Sequence, residues 1–168
     1  MKPLILCITG KSGSGKTTLA DWLENNLDAP TIQSRTDRKP RFKLERGHTF
    51  VSEEEFDSYN IDDMIALTTF GGRRYCCLKE DIKPLNTYVI DEKGILFLKE
   101  HHDDIYRIKT LYVHRQERLR RADYVRKQRD KTMFSFTPDD YDYVIDNNFD
   151  KRHFFLEGVR VFTHAKKL

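Results

Sequence analysis

Gly10-Lys11-Ser12-Gly13-Ser14-Gly15-Lys16-Thr17 satisfies the spacing G-x-x-x-x-G-K-[ST] at every position. In such a loop consecutive backbone N–H groups curl around polyphosphate oxygens. Glycines permit the curl because they tolerate positive φ and put no Cβ in the way. Lys16 is then placed to reach the β- and γ-phosphates, and Thr17 to offer its hydroxyl to Mg2+. The helix expected after the loop adds the positive end of its dipole. At ordinary residue frequencies the octet arises by chance in roughly 0.7% of chains of this length, so the loop predicts binding of a nucleoside triphosphate.

Such a loop serves switches, motors, hydrolases and kinases alike, and what receives the γ-phosphoryl group decides among them. Ser34, Arg35, Thr36, Arg38, Lys39, Arg41, Lys43 and Arg46 make a dense basic segment downstream. Arginine forks bind phosphate bidentately and stay charged, which suits them to a second anionic substrate; on charge alone, a solvated basic loop is the alternative.

The same segment carries a resemblance. Ser34-Arg35-Thr36-Asp37-Arg38-Lys39-Pro40-Arg41 and Gly47-His48-Thr49-Phe50-Val51-Ser52-Glu53-Glu54-Glu55-Phe56 resemble the guanylate kinase pattern S-x-T-T-R-x-P-R, then G-x-x-Y-x-F-V-S-x-E-E-F. Phe70-Gly71-Gly72-Arg73-Arg74-Tyr75 is similar to that family's F-x-G-x-x-Y. Ile90-Asp91-Glu92-Lys93-Gly94 is similar to its I-D-x-Q-G, and Tyr141-Asp142-Tyr143-Val144-Ile145-Asp146-Asn147 to its Y-D-Y-V-x-x-N. The match runs in order from residue 4 to about residue 150.

The resemblance implies a nucleoside monophosphate kinase that uses ATP and Mg2+. ATP would be held by Gly10, Lys11, Ser12, Gly13, Ser14, Gly15, Lys16, Thr17 and Thr18. Arg38, Arg41 and Tyr75 would grip the acceptor monophosphate, with Ser34 and Asp91 near its base and His48 standing where the family has its first tyrosine. Thr17 and Asp91 would serve Mg2+, and Arg118, Arg121, Arg126 and Arg129 would join Lys16 and Arg38 in stabilising the transferred phosphoryl; on a plain helix face these arginines would instead pair with Glu117, Asp123 and Asp130. Ala66 stands where the family carries its guanine-reading glutamate and Cys77 where a serine is usual. Neither accepts two strong hydrogen bonds from a base edge, so the acceptor base stays open.

The fold expected from these features is a P-loop NTPase three-layer α/β sandwich with a mostly parallel sheet, a small inserted monophosphate-binding lobe and a short basic lid. It forms one domain over 1–168, with the core at 1–33 and 78–168, the lobe at about 34–77 and the lid at about 115–130. Two alternatives stay open: a kinase of a phosphorylated sugar on the same fold, and a catalytically inactive binding module. The expected partner is a nucleoside monophosphate acceptor, with no nucleic acid and no membrane, in a monomer or homodimer.

Several elements must position these residues. Pro3 to Thr9 reads as a buried strand, and from Lys16 the spacing of Leu19, Ala20, Trp22, Leu23 and Leu27 is helical until Pro30. Residues 34–52 show little periodicity, and a short acidic helix opens at Glu53. Strands are expected over Met64 to Phe70, Arg74 to Leu78, Thr87 to Ile90, Ile108 to Val113 and Tyr141 to Ile145. Helices are expected over Gln116 to Lys131 and Asp150 to Val161.

Hydrophobic residues are 38% and charged residues 34%, so the core should be thin under a charged surface, while a net charge of +3 argues against disorder. Leu4 to Ile8 is far shorter than the roughly 20 residues that cross a bilayer, and a soluble, cytoplasmic protein is expected. Cys7, Cys76 and Cys77 are expected to be reduced, and His101-His102 to lie on a wet surface turn.

Overall fold

The computed structural model describes residues 2–168, apart from the side chains of residues 129 and 133. In chain order the elements are β1 (Leu4–Thr9), α1 (Lys16–Leu27), β2 (Ser34–Thr36), β3 (His48–Phe50), α2 (Glu53–Asp57), β4 (Thr68–Phe70), β5 (Arg73–Cys76), β6 (Leu85–Val89), α3 (Glu92–His102), β7 (Arg107–His114), α4 (Tyr124–Met133), β8 (Tyr143–Asp146) and α5 (Lys151–Lys167).

Every residue of β1 is buried, because both faces of its sheet are covered. Leu4, Leu6 and Ile8 pack with Leu19 and Leu23 of α1 and with Phe154, Val161 and Phe162 of α5. Ile5 and Cys7 point the other way, to Ile95 and Leu98 of α3 and to Ile65, Ala66 and Cys77. The sheet order is β6-β1-β7-β8, all parallel. Parallel pairing brings the C-terminal ends of the strands to one edge, so the loop after β1, the turn after β6 and the segment after β7 meet there.

A second four-stranded sheet, order β3-β2-β5-β4, is built between α1 and β6. The β4–β5 hairpin turns through Gly71 and Gly72 with φ of 56° and 73°. Two successive positive φ values are what a tight hairpin of this hand requires, as the glycine pair predicts. Phe56, Met64, Cys76 and Leu78 form a small core for this sheet.

Several elements differ from the sequence reading. Residues 34–52 contain β2 and β3, each only three residues long, too short for a period-2 pattern to register. The strand expected from Met64 begins at Thr68; Met64 makes only an isolated bridge to Leu78. The strand expected over Arg74 to Leu78 ends at Cys76. The helix expected over Gln116 to Lys131 is broken: a single 3-10 turn at Glu117–Leu119 is followed by α4, whose start is set by Asp123 accepting from Arg126 N at 2.9 Å. Helix α5 continues past Val161 to Lys167.

Residues 92–102, which the pattern leaves unassigned, form α3, capped by Asp91 Oδ1 accepting from Gly94 N at 2.8 Å. His101 and His102 therefore end a helix instead of forming a surface turn. His102 is buried, with Nε2 3.3 Å from Met64 O, and its burial lowers its pKa. All three cysteines are free and buried. Among the described residues no helix is long and apolar enough to cross a membrane.

Candidate functional site

The glycine loop leaves β1 at Gly10. A Cβ on Gly10 would lie 2.5 Å from Val113 O, and one on Gly13 2.9 Å from the Arg121 backbone, at a φ of +75° that side chains rarely adopt. Both positions demand glycine for space. Helix α1 begins with no side-chain cap. Lys16 Nζ donates to Gly10 O at 2.7 Å and to Lys11 O at 3.2 Å, folding its cation over the loop. Asn147 Nδ2 donates to Ser14 O at 2.7 Å and pins the loop to the end of β8. Ser14 Oγ is buried with no hydrogen-bond partner among the described residues. A cradle of amides, an uncommitted buried hydroxyl and a cation at its lip fit a polyphosphate.

The loop faces a cavity that also reaches the second sheet. Gly10, Ser12, Lys16, Ser34, Arg41, His48, Tyr75 and Asp91 all line it. The structure thus brings together most of the residues that the sequence singles out as donor- and acceptor-facing. Arg38 is not in that lining and joins it through Tyr75, to whose hydroxyl its Nε donates at 3.1 Å. Its two terminal nitrogens fork onto Glu45, at 2.9 and 3.2 Å. Thr17 and Thr18 are exposed on the first turn of α1 and do not line the cavity. Ala66 and Cys77 do not line it either; both are buried in the core against Ile65 and Tyr88.

Thr68, Phe70, Tyr88, Asp130 and Phe134 also line the cavity without having been singled out from sequence as substrate-facing. Tyr88 Oη pairs with Ser34 Oγ at 2.9 Å, and Thr68 Oγ1 is buried without a partner among the described residues. Much of the basic segment is occupied elsewhere. Arg35 pairs with Glu80 and Asp81, and downstream Arg74 pairs with Asp37 and Asp57. These pairs explain why charge density alone overstated the number of substrate-facing arginines.

The segment after β7 lies over the loop. The arginine buried there is Arg120, which the sequence reading passed over: it donates to Asp130 at 2.6 Å and to Ser12 O at 3.2 Å. Asp130 in turn accepts from Ser12 N and Ser12 Oγ, both at 2.9 Å. A ten-residue separation across a broken helix hides this pairing from any i, i+4 search. Arg118 is exposed and donates to Gln116, Arg121 contributes its backbone beside Gly13, and Arg126 pairs loosely with Asp123. The charge of Arg126 nevertheless reaches Arg41: burial, Arg38 and Arg126 all lower the Arg41 pKa. The Arg129 side chain lies outside the described residues.

Two carboxylates follow β6 and divide their tasks. Glu92 is buried and accepts from Ser135 N at 2.7 Å and Tyr141 Oη at 2.6 Å, fastening the chain after α4 to α3. Asp91 is the one that lines the cavity, and burial raises its pKa.

His48 lies between Phe50 and Tyr75, and its Nδ1 is buried without a partner among the described residues. Burial, reinforced by the Arg38 charge, pushes its pKa down to about 4, so at pH 7 it is neutral and offers an N–H, not a charge. The unfolded chain then binds a proton at His48 that the folded chain refuses between about pH 4 and the ordinary value of 6.5, so this residue makes stability rise with pH across that window. Melting curves of the wild type and His48→Gln between pH 4 and 7 should show a shallower slope in the variant; parallel slopes would refute the assignment.

With the geometry in place, similarity to solved structures can be stated. A guanylate kinase from Anaplasma phagocytophilum superposes with a TM-score of 0.72 at 22% identity, over 97% of this chain and 86% of that one. The chain has the fold of that guanylate kinase. An uncharacterized protein from Eubacterium ventriosum ATCC 27560 superposes with a TM-score of 0.53 at 12% identity, over 99% of this chain and 100% of that one. No family model and no curated protein matches the sequence.

Proposed function

We propose that the protein is an ATP-dependent kinase, guanylate kinase-like in mechanism, that transfers the γ-phosphoryl group to the phosphate of a nucleoside or deoxynucleoside monophosphate. The observation that carries this reading is the single cavity lined on one side by Gly10, Ser12 and Lys16 and on the other by Ser34, Arg41 and Tyr75. The fold shared with a guanylate kinase supports it.

In this mechanism the loop amides from Gly10 to Thr18 bind the donor polyphosphate, and Lys16 swings from the Gly10 and Lys11 carbonyls onto the β- and γ-oxygens. Arg38, Arg41 and Tyr75 hold the acceptor phosphate in line, while Arg118, Arg121, Arg126 and Arg129 supply the lid charges that offset repulsion between two polyanions. Thr17, through its hydroxyl, and Asp91, through water, are the residues that would hold Mg2+, which would supply charge neutralisation at the donor polyphosphate. The chain over the loop excludes water, which would otherwise compete as acceptor.

Ala66 and Cys77, which stand at the family's base-reading positions, are buried away from the cavity, so the acceptor base stays open. One observation favours a second reading, a phosphorylated sugar as acceptor: the hydroxyl-bearing residues Ser34, Thr68 and Tyr88 all line the cavity, a set that matches a polyol as well as a base edge. Incubation with Mg·ATP and a panel of ribo- and deoxynucleoside monophosphates and ribose phosphates, followed by ADP release, decides between them. Turnover on a nucleotide supports the first reading, turnover on a sugar phosphate alone supports the second, and silence across the panel overturns both in favour of a binding module.

A further inference from the structure

Asp130 is a buried carboxylate, 3% exposed, that stands in the lining of the cavity and reaches back 118 residues in sequence to the glycine loop. Its Oδ2 accepts from Ser12 N and its Oδ1 from Ser12 Oγ, both at 2.9 Å. Behind it, Arg120 Nη1 donates to the same Oδ2 at 2.6 Å and to Ser12 O at 3.2 Å. Arg120 is buried too and is not in the cavity lining, so its charge steadies the carboxylate from the protein side. The next residue closes over the loop: a Cβ on Gly13 would stand 2.9 Å from the backbone N, C and O of Arg121.

These contacts lay a strap across the loop, and the strap is fastened differently at its two ends. At residues 135 and 136 it is tied to α3, where Glu92 accepts from Ser135 N at 2.7 Å and from Phe136 N at 3.3 Å, in bonds that involve no atom of the loop. At Arg120 and Asp130 it is tied to Ser12, whose amide belongs to the row assigned above to the donor polyphosphate. A backbone N–H makes one good hydrogen bond, so a phosphate oxygen and the Asp130 carboxylate compete for the same atom. Both are anions, and at such spacing in a cleft poor in water they repel strongly. The two do not hold Ser12 together.

We propose that Asp130 is a latch on the donor loop: it holds the Ser12 amide and hydroxyl, a polyphosphate displaces it, and residues 120–133 are thereby released from the loop while staying hinged at Glu92. The proposal rests on the reading of the loop as the donor seat. A polyphosphate outbids the carboxylate because its oxygens take several successive amides and the Lys16 ammonium, whereas Asp130 takes one amide and one hydroxyl of the loop. The exchange conserves charge pairing, since the anion that arrives at Ser12 also inherits Arg120, which already reaches the Ser12 carbonyl. Arg120 is in this way reserved until a donor is present. Donor affinity is then set by the fraction of molecules in which the latch is open.

The test uses inorganic tripolyphosphate, with no acceptor and no turnover. Isothermal titration should show Asp130→Asn binding it about tenfold more tightly than the wild type. Ser12→Ala, which loosens the latch by one hydrogen bond and changes no charge, should bind it about threefold more tightly. Affinity that is unchanged or weaker in Asp130→Asn overturns the proposal and makes Asp130 a support that shapes the loop. Tightening in Asp130→Asn without tightening in Ser12→Ala overturns it in favour of plain charge repulsion. Should neither variant fold, the wild type answers alone: at saturating tripolyphosphate the amides of residues 120–133 should exchange with deuterium severalfold faster while those of residues 10–18 slow, and slowing in both segments overturns the latch. If tripolyphosphate binds to neither the wild type nor the variants, the donor seat itself falls, and the latch with it.

Discussion

Lys16→Ala is expected to lower phosphotransfer by about 10²–10³-fold or more while leaving the fold in place. The two consequences come from different parts of the structure. Lys16 contributes nothing to the apolar core; its ammonium group donates to the carbonyls of Gly10 and Lys11, at the lip of the cavity. Losing bonds of this kind costs about 1 kcal/mol of stability. In the transferred state the same charge faces oxygens whose negative charge is being redistributed, in a site from which water is withdrawn, where a fixed cation is worth far more than in bulk solvent. The measurement pairs single-turnover phosphotransfer with a thermal melt. A variant that melts normally and turns over at the wild-type rate would remove the loop from the mechanism.

What was legible in the sequence follows from the range of the interactions involved. The glycine loop is a local device, complete within eight residues, and its strand and helix flanks are long enough to show period and caps. The Gly71-Gly72 hairpin is local in the same sense. The short strands β2 and β3 are held by pairing to each other and to β5, not by any pattern of their own. Helix α4 is cut short of the expected element because Asp123 caps it and Arg120 turns inward to Asp130, a contact that depends on the loop beneath. Ser34, Arg41, His48, Tyr75 and Asp91 could be named because each sits in a short motif. Thr68, Tyr88, Arg120 and Asp130 could not, since what distinguishes them is a partner distant in sequence or a pocket wall.

Phe154→Ala probes the support beneath the loop and should have the opposite profile to Lys16→Ala, with stability lost first. Phe154 is 2% exposed, packed with Leu19 of α1, the apolar residues of β1 and the neighbouring ring of Phe155. Its ring also stands 3.5 Å from where a Cβ on Gly15 would lie, so it underpins the end of the phosphate cradle. Removing a buried phenyl group loses its transfer free energy and leaves a cavity that α5 cannot close, because Gly158 already brings the helix backbone so near Leu19 that a Cβ there would sit 2.4 Å from its Cδ1. The expected loss is about 3–5 kcal/mol, a large share of the 5–15 kcal/mol that holds an ordinary domain together. Urea unfolding should show a lower midpoint at an unchanged slope, since the surface exposed on unfolding is the same. Saturating ATP should restore part of the loss if the cradle still closes on the nucleotide, because a ligand that binds only the folded state stabilises it. A loss below about 1 kcal/mol would mean that α5 does not bear on β1 and α1 as described, and the rigid floor assigned to the loop would have to be sought elsewhere.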